Sequence, residues 1–426
     1  MGSLVLRVAS LGLGFVVTVV LARVLGVEGF GVYSYVLALI SLLVIPAKFG
    51  LPSLVVREVA SAQVAEDWGR LRGVIRWSNM MAAGFALTLT VVGGGLALAF
   101  AEKFQNGKLA TFAWGLVLVP LMVLGDLRGA ALRGLHHVVQ GQLPEHVLRP
   151  GFLIILCGIF SLLAAGQLGP DQAMVLHAVA ALLAFGIGAF LFLRVRPSAL
   201  RFARPTYRRA AWIYAAVPLA LAGSMQVLIR YTDIVMLGFF RGAADVGIYR
   251  AVAQTSTLVG LGLTAITLVV APQFSALYAR GDLAQLQRLA TSSSGITLIL
   301  AVPVAAIMII LGEDLLRLLF GAPFSAGYLP LSLLVLGQLV NAAFGSVVAL
   351  LNMTGHESKA ARGAAIAAAV NVVLNLLLIP RFGAAGAAAA TSITITLWNI
   401  ILWLEVRSHL GIDSAAIPLT RKRLGG

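Results

Sequence analysis

The chain has 426 residues, of which 60% are hydrophobic and only 11% are charged. Soluble domains carry about 45–50% apolar and about 25% charged residues, so a soluble enzyme, a DNA-binding module and a disordered scaffold are excluded. A formal net charge of +15 would indicate a nucleic-acid partner in a soluble protein. In a membrane protein, lysine and arginine collect in cytoplasmic loops and contact anionic phospholipid. We therefore expect no nucleic-acid partner.

Apolar stretches long enough to cross a bilayer recur along the whole chain. A bilayer core about 30 Å thick needs about 20 residues of helix. The predicted fold class is an all-α polytopic membrane protein with twelve transmembrane helices, at 8–22, 29–47, 77–101, 109–125, 150–170, 172–193, 210–229, 251–279, 289–312, 328–354, 363–380 and 382–404.

A basic segment at 194–209 divides the predicted helices into six and six. Residues 26–33 also align with residues 242–249, with two glycines and a tyrosine identical. An internal repeat of this kind predicts two pseudo-symmetric lobes around a central cavity. Coincidence between glycine-rich loops is the alternative. The predicted domains are an N-lobe, a basic cytoplasmic linker, a C-lobe and a cytoplasmic tail, at 1–193, 194–209, 210–412 and 413–426.

The distribution of basic residues predicts the orientation. If the N-terminus is cytoplasmic, most of the 31 lysines and arginines fall on the cytoplasmic side of the membrane, as in other membrane proteins. An even number of spans then places both termini in the cytoplasm.

Ionisable side chains inside apolar spans are costly and are therefore candidates for function. Arg250 lies roughly 12 Å along its predicted helix, counted from Gly242 at 1.5 Å per residue, and has no carboxylate one turn away. Arg230 and Asp233 share a helix face, and a mutual ion pair is the alternative explanation for them. We expect cationic and amide side chains to line the cavity and bind substrate, namely Arg23, Lys48, Arg230, Arg250, Gln226, Asn371 and Asn375.

Arginine stays protonated and offers paired donors that match phosphate oxygens, so a cavity of this kind is suited to a diphosphate. The sequence has no Walker-type loop, which argues against direct use of ATP. Asp126 and Asp233 are the candidate sites for coupling to H⁺ or Na⁺, although Asp126 could instead pair with Arg128 or Arg133. We expect no cofactor, no catalytic residue and no structural metal site.

Three segments carry a resemblance to a known family. They are LARVLG followed by GFGVY at 21–33, DIVMLG followed by DVGIY at 233–249, and NVVLNLLLIPRFGAAGAAAAT at 371–391. The chain resembles the bacterial oligosaccharide-lipid (O-antigen and polysaccharide) flippases of the multidrug/oligosaccharidyl-lipid/polysaccharide superfamily. The resemblance extends over nearly the whole sequence.

The resemblance implies a multi-pass protein of the bacterial inner membrane, not an enzyme. It would move undecaprenyl-diphosphate-linked oligosaccharide from the cytoplasmic to the periplasmic leaflet by alternating access. Its expected partners are the lipid-linked oligosaccharide, anionic phospholipid and a polymerase of the same pathway. The alternatives are a lipid II flippase or a drug/ion antiporter of the same superfamily and, from another class, a membrane polysaccharide polymerase. Lipid II flippases usually have two further helices, so we expect the oligosaccharide branch.

Overall fold

The structure is a computed structural model that describes residues 2–99, 108–163 and 168–416. Inside these ranges, the side chains of residues 2–5, 221–223, 225, 226 and 229 are outside the description. Residues 417–426, which make up most of the predicted tail, also lie outside the described residues.

The described residues are almost entirely helical, and no β-strand occurs among them. The all-α prediction is therefore confirmed. By its internal contacts the chain divides into two compact units, Met1–Tyr231 and Thr232–Gly426. The predicted lobe bounds remain a prediction.

The first unit holds eight α-helices, a π-helical turn at Pro144–Leu148 and the start of a ninth helix. In chain order these helices are α1 Gly2–Lys48, α2 Leu51–Val64, α3 Trp68–Ala99, α4 Lys108–Gly134, α5 Val138–Leu143, α6 Arg149–Leu163, α7 Pro170–Val195, α8 Ala199–Phe202 and α9 Arg209–Phe240.

The second unit holds the end of α9, seven further α-helices and two 3₁₀ turns, at Thr257–Gly260 and Ala322–Gly327. The α-helices are α10 Ala243–Ser256, α11 Leu261–Ala279, α12 Leu283–Ile310, α13 Gly312–Phe320, α14 Tyr328–Phe344, α15 Val347–Met353 and α16 Glu357–Leu410.

Nine helical segments of the described part are long and apolar enough to cross a membrane. Two of them are double-length helices that each cover two predicted spans. α1 has a non-helical residue at Gly26, with φ 68°, and α16 has one at Gly383, with φ 55°. Positive φ values suit glycine, which has no Cβ. The sequence predicted chain breaks near both points, and the structure replaces them with kinks. The count of twelve spans remains a prediction.

The beginning of α9 packs inside the first unit. Trp212 is buried, and its Nε1 donates a hydrogen bond of 3.1 Å to Glu58 on α2. Gly50 has φ +67°, and a Cβ there would lie 2.5 Å from the carbonyl oxygen of Ala216 and the amide nitrogen of Ala220. Only glycine permits this close approach. Gly50, just before α2, therefore allows the beginning of α9 to pack against it.

The second unit has an apolar core formed by α11, α12, α15 and α16. Its buried side chains include Phe274, Leu286, Leu350 and Val406. Large apolar side chains on the outer faces of several spans are instead exposed, among them Ile299 at 71% and Ile310 at 76%. Exposed apolar bands on helices of this length are what a lipid-facing surface requires.

Candidate functional site

A buried polar cluster surrounds Asp233 in the second unit. The carboxylate is 4% exposed and accepts hydrogen bonds from three uncharged groups. Tyr249 Oη donates to Oδ2 at 2.6 Å, Asn375 Nδ2 donates to Oδ1 at 2.6 Å, and Thr391 Oγ1 donates to Oδ2. Asn375 Nδ2 also donates to Asn371 Oδ1 at 3.0 Å. We call these five residues the Asp233 cluster.

The Asp233 cluster provides oxygen atoms and one carboxylate in a buried setting. No ion pair of the described residues includes Asp233, so the pairing with Arg230 suggested by their spacing is not seen. Asn375 Oδ1 is buried and has no hydrogen-bond partner among the described residues. A buried carboxylate surrounded by neutral oxygens and amides can take up a proton or a small hard cation, because either one offsets the cost of the buried charge.

The sequence reasoning missed two members of the cluster, Tyr249 and Thr391. Both lie inside segments singled out for resemblance, and Tyr249 is the repeated tyrosine of the 26–33 and 242–249 alignment. The signal was therefore present. Hydrogen bonds between residues more than 100 positions apart, such as Thr391 with Asp233, cannot be read from spacing along one helix.

The first unit has a related pair at the equivalent tyrosine. Tyr33 is 3% exposed, and its Oη lies 2.7 Å from Nδ1 of the buried His177 on α7. In each unit, the repeated tyrosine follows a positive-φ glycine by seven residues, Gly26 or Gly242, and contacts a buried titratable side chain. This correspondence supports the internal repeat over coincidence between loops.

The ion pairs of α4 differ from the expected ones. Asp126 pairs with Lys48 at the end of α1 rather than with Arg128 or Arg133. Arg128 is 8% exposed, and its Nη2 lies 3.4 Å from Oε1 of Glu145. Glu145 belongs to the π-helical turn, which the sequence did not indicate. Arg128 therefore pairs with Glu145 and not with Asp126, while its buried Nε has no hydrogen-bond partner among the described residues.

The remaining predicted binding residues are distributed over both units. Arg23 and Arg230 are exposed, and Arg250 is half-buried. Asn371 and Asn375, expected beside sugar hydroxyls, are 2% and 0% exposed and belong to the Asp233 cluster. The Gln226 side chain lies outside the description. That Arg23, Lys48, Arg230 and Arg250 line one cavity remains a prediction.

Two family models match the chain. The model described as polysaccharide biosynthesis protein matches residues 3–278, and the model described as lipid II flippase MurJ matches residues 155–423. Each covers more than half of the sequence.

Two of the curated relatives come from Haloferax volcanii. The "probable low-salt glycan biosynthesis flippase Agl15" is 24% identical over 92% of this chain and 79% of its own length. The "probable flippase AglR" is 25% identical over 91% of this chain and 78% of its own length.

Solved structures show the same fold. An inward-facing multidrug resistance transporter of the MATE family in the MOP superfamily superposes with a TM-score of 0.78. It is 14% identical, with 95% of this chain and 94% of the transporter covered. The inward closed conformation of the lipid II flippase MurJ gives a TM-score of 0.71 at 15% identity, covering 95% of this chain and 87% of the flippase.

Proposed function

The chain belongs to the polysaccharide biosynthesis protein family, and from this membership we propose that it is a flippase for undecaprenyl-diphosphate-linked oligosaccharide. It is a transporter and not a catalytic enzyme, which removes the polymerase alternative. In the proposed reaction, the diphosphate and its sugars cross from the cytoplasmic to the periplasmic leaflet of the bacterial inner membrane by alternating access. The prenyl chain stays in lipid, and a polymerase of the same pathway uses the product.

The observation that supports an anionic substrate is the environment of Arg250. This arginine is half-buried on α10, inside a candidate span, and no ion pair of the described residues includes it. A fixed positive charge in an apolar span is costly unless an anion accompanies it. The diphosphate of the lipid carrier would supply that anion through paired hydrogen bonds to the guanidinium.

Lys48 would assist at the cytoplasmic side. Its ammonium already has a carboxylate partner in Asp126, so a diphosphate would have to compete for it. We propose that substrate binding at Lys48 releases Asp126, which then becomes the second coupling candidate beside Asp233.

The test is a lipid extract from a strain that lacks the gene, complemented with variants. We expect undecaprenyl-diphosphate oligosaccharide to accumulate in the deletion strain and to disappear when the unaltered chain is restored. Arg250→Ala should lower transport at least about tenfold, which corresponds to about 1.4 kcal/mol, at equal membrane abundance. Arg280→Ala, which removes an exposed arginine at the end of α11, is the matched control. Full complementation by Arg250→Ala would exclude this arginine from the site.

A second candidate substrate is lipid II, favoured by the match of residues 155–423 to the lipid II flippase model. The same extract separates the two substrates, since accumulation of lipid II in place of an oligosaccharide lipid would replace the first proposal. A drug/ion antiporter, the third alternative, would accumulate neither lipid in the deletion strain.

For the energy source we propose coupling to H⁺ or Na⁺ at the Asp233 cluster. The supporting observation is the buried carboxylate with only neutral donors around it. Asp233→Asn keeps the size of the side chain and removes its charge. We expect transport by this variant in proteoliposomes to stop responding to an imposed pH or Na⁺ gradient. A gradient response equal to that of the unaltered chain would remove Asp233 from coupling.

A further inference from the structure

A pocket rich in arginine lies in the first unit, away from the residues discussed so far. Its volume is about 390 Å³, and it lies between the N-terminal turns of α3, the C-terminal end of α7 and the short helix α8. The lining residues are Arg72, Ile75, Arg76, Phe192, Arg196, Leu200 and Arg201. We call this site the arginine pocket.

The arginine pocket has an uncompensated positive charge. Four of its seven lining residues are arginines and none is acidic. Within the described part of the chain, none of these four arginines forms an ion pair. Other arginines nearby are neutralised, as Arg70 is by Glu58 at 2.7 Å. Charges of one sign gathered in a concave site attract an anion strongly, because the low-dielectric walls focus their field.

Two features show that the arginine pocket is a preorganised site and not an accidental gap between helices. Arg72 is held in place because its Nη1 donates to the carbonyl oxygens of Arg201 and Ala203 at 2.9 and 2.8 Å. The Nε of Arg196 is buried and has no hydrogen-bond partner among the described residues. A buried donor without a partner costs free energy, so an acceptor oxygen bound here would stabilise the protein.

The lining and its position indicate an amphiphilic ligand. Ile75, Phe192 and Leu200 add an apolar wall beside the arginines. The pocket lies where one candidate span, Trp68–Ala99, begins and another, Pro170–Val195, ends, and so at a boundary between lipid and water. A free anion would make no favourable contact with the apolar side chains. A phospholipid has a phosphate for the arginines and acyl chains for the apolar side chains.

We propose that the arginine pocket binds the phosphate headgroup of an anionic membrane phospholipid. Guanidinium groups hold phosphate oxygens through paired donors, and the negative cytoplasmic leaflet supplies such lipids. The bound lipid fastens the segment after α7 to α3. None of its lining residues is among those predicted to bind the transported lipid.

The test is native mass spectrometry of the full chain in detergent, titrated with phosphatidylglycerol, phosphatidylcholine or inorganic phosphate. We expect phosphatidylglycerol to bind more tightly than phosphatidylcholine. The triple variant Arg76→Gln, Arg196→Gln, Arg201→Gln should weaken phosphatidylglycerol binding about tenfold or more, since each basic residue contributes to attraction of anionic lipid. It leaves Arg72 and its backbone hydrogen bonds unchanged.

The matched control is Arg204→Gln, Arg208→Gln, Arg209→Gln, which removes the same charge from three exposed arginines of the same segment outside the pocket. It should bind phosphatidylglycerol like the unaltered chain. Equal losses in both variants would show a diffuse charge effect and overturn the proposal. Displacement of phosphatidylglycerol by millimolar inorganic phosphate would show a free-phosphate site and overturn it too. If the triple variant misfolds, the double variant Arg76→Gln, Arg201→Gln takes its place in the same binding comparison, because both of these side chains are exposed.

Discussion

Glu58 is a buried carboxylate that three side chains keep in its charged form. It lies on α2, outside the candidate spans, and is 8% exposed. Arg70 donates to it from Nε at 3.2 Å and Nη2 at 2.7 Å, and Trp212 donates at 3.1 Å. Burial by itself raises the pKa of the Glu58 carboxyl, but the hydrogen bonds from Arg70 and Trp212 and the charges of Arg70 and Arg57 outweigh it. The net pKa lies below its ordinary value of 4.5.

This lowered pKa predicts how stability changes with pH. The contribution of Glu58 to the folded state is complete above pH 4.5 and is lost as the pH falls through the lower folded pKa. We expect Glu58→Gln to destabilise the chain by about 1–3 kcal/mol at pH 7, because Arg70 loses its charged partner. The variant should also lose less stability than the unaltered chain below pH 4.5.

The measurement is thermal unfolding in detergent at pH 7 and at several values from 5 down to 3. Glu66→Gln is the control, since Glu66 is an exposed carboxylate in the turn between α2 and α3. If Glu58→Gln and Glu66→Gln unfold at the same temperature at pH 7, the Arg70–Glu58–Trp212 contacts do not stabilise the first unit.

At the residue scale, the sequence predicted which side chains are costly but not what they contact. Asp233 was selected because it interrupts an apolar stretch, and the structure places it in a buried cluster. Its partners Tyr249 and Thr391 come from α10 and α16, so the packing of three helices was needed to find them. Glu145 was missed because it precedes an apolar run and reads as a loop residue, whereas the π-helical turn places it against Arg128.

At the scale of elements, the segment after α8 packs against α3 only because residue 73 of α3 is a glycine. A Cβ added to Gly73 would overlap the carbonyl oxygen of Thr206, and the amide of Thr206 donates to the carbonyl oxygen of Gly69 at 3.0 Å. We expect Gly73→Ala to destabilise the chain by about 1–3 kcal/mol, the usual cost of overpacking. Thermal unfolding in detergent measures it.

The same helix provides the control. A Cβ added to Gly84 meets nothing within 4 Å, so Gly84→Ala should be neutral or stabilise by about 0.5–1 kcal/mol, since alanine is the better helix former. An equal loss of stability in both variants would mean that the contact with Thr206 does not determine the result, since Gly84 has no such contact.

The apolar stretches predicted the helices of the membrane spans well, but they predicted the connections between those helices poorly. The spans predicted at 8–22 and 29–47 lie within α1, and those at 363–380 and 382–404 lie within α16. A kink at one glycine needs only a local positive φ, as at Gly26 and Gly383, and a hydropathy pattern does not contain that information. The short helices α2, α5 and α8 escaped prediction because they lack the length of a span.

At the scale of the whole molecule, the repeat is the strongest link between sequence and structure. The alignment of residues 26–33 with 242–249 rested on three identities. In the structure, the glycine that opens each segment has a positive φ, and the tyrosine that closes each one is buried against a titratable side chain. The two tyrosines differ in partner, His177 in the first unit and Asp233 in the second. The repeated scaffold therefore carries different ionisable chemistry in its two halves.

The orientation of the chain is a prediction of the same scale, because it depends on the sum of basic residues over all loops. Cys157 is the one cysteine of the sequence and is buried, so Cys157→Ala gives a cysteine-free background. Ser198→Cys, just after α7, should be cytoplasmic. Glu313→Cys, in α13 between two candidate spans, should be on the opposite side. Both positions are exposed.

A membrane-impermeant maleimide applied to intact spheroplasts should therefore label Glu313→Cys and not Ser198→Cys. After permeabilisation, both variants should react, and the cysteine-free chain should stay unlabelled throughout. The reverse pattern would place both termini outside the cytoplasm. It would also put the arginine pocket on the leaflet with less anionic lipid, since Arg196 lies two residues from Ser198. The labelling pattern thus decides the direction of proposed transport and the leaflet of the proposed lipid site together.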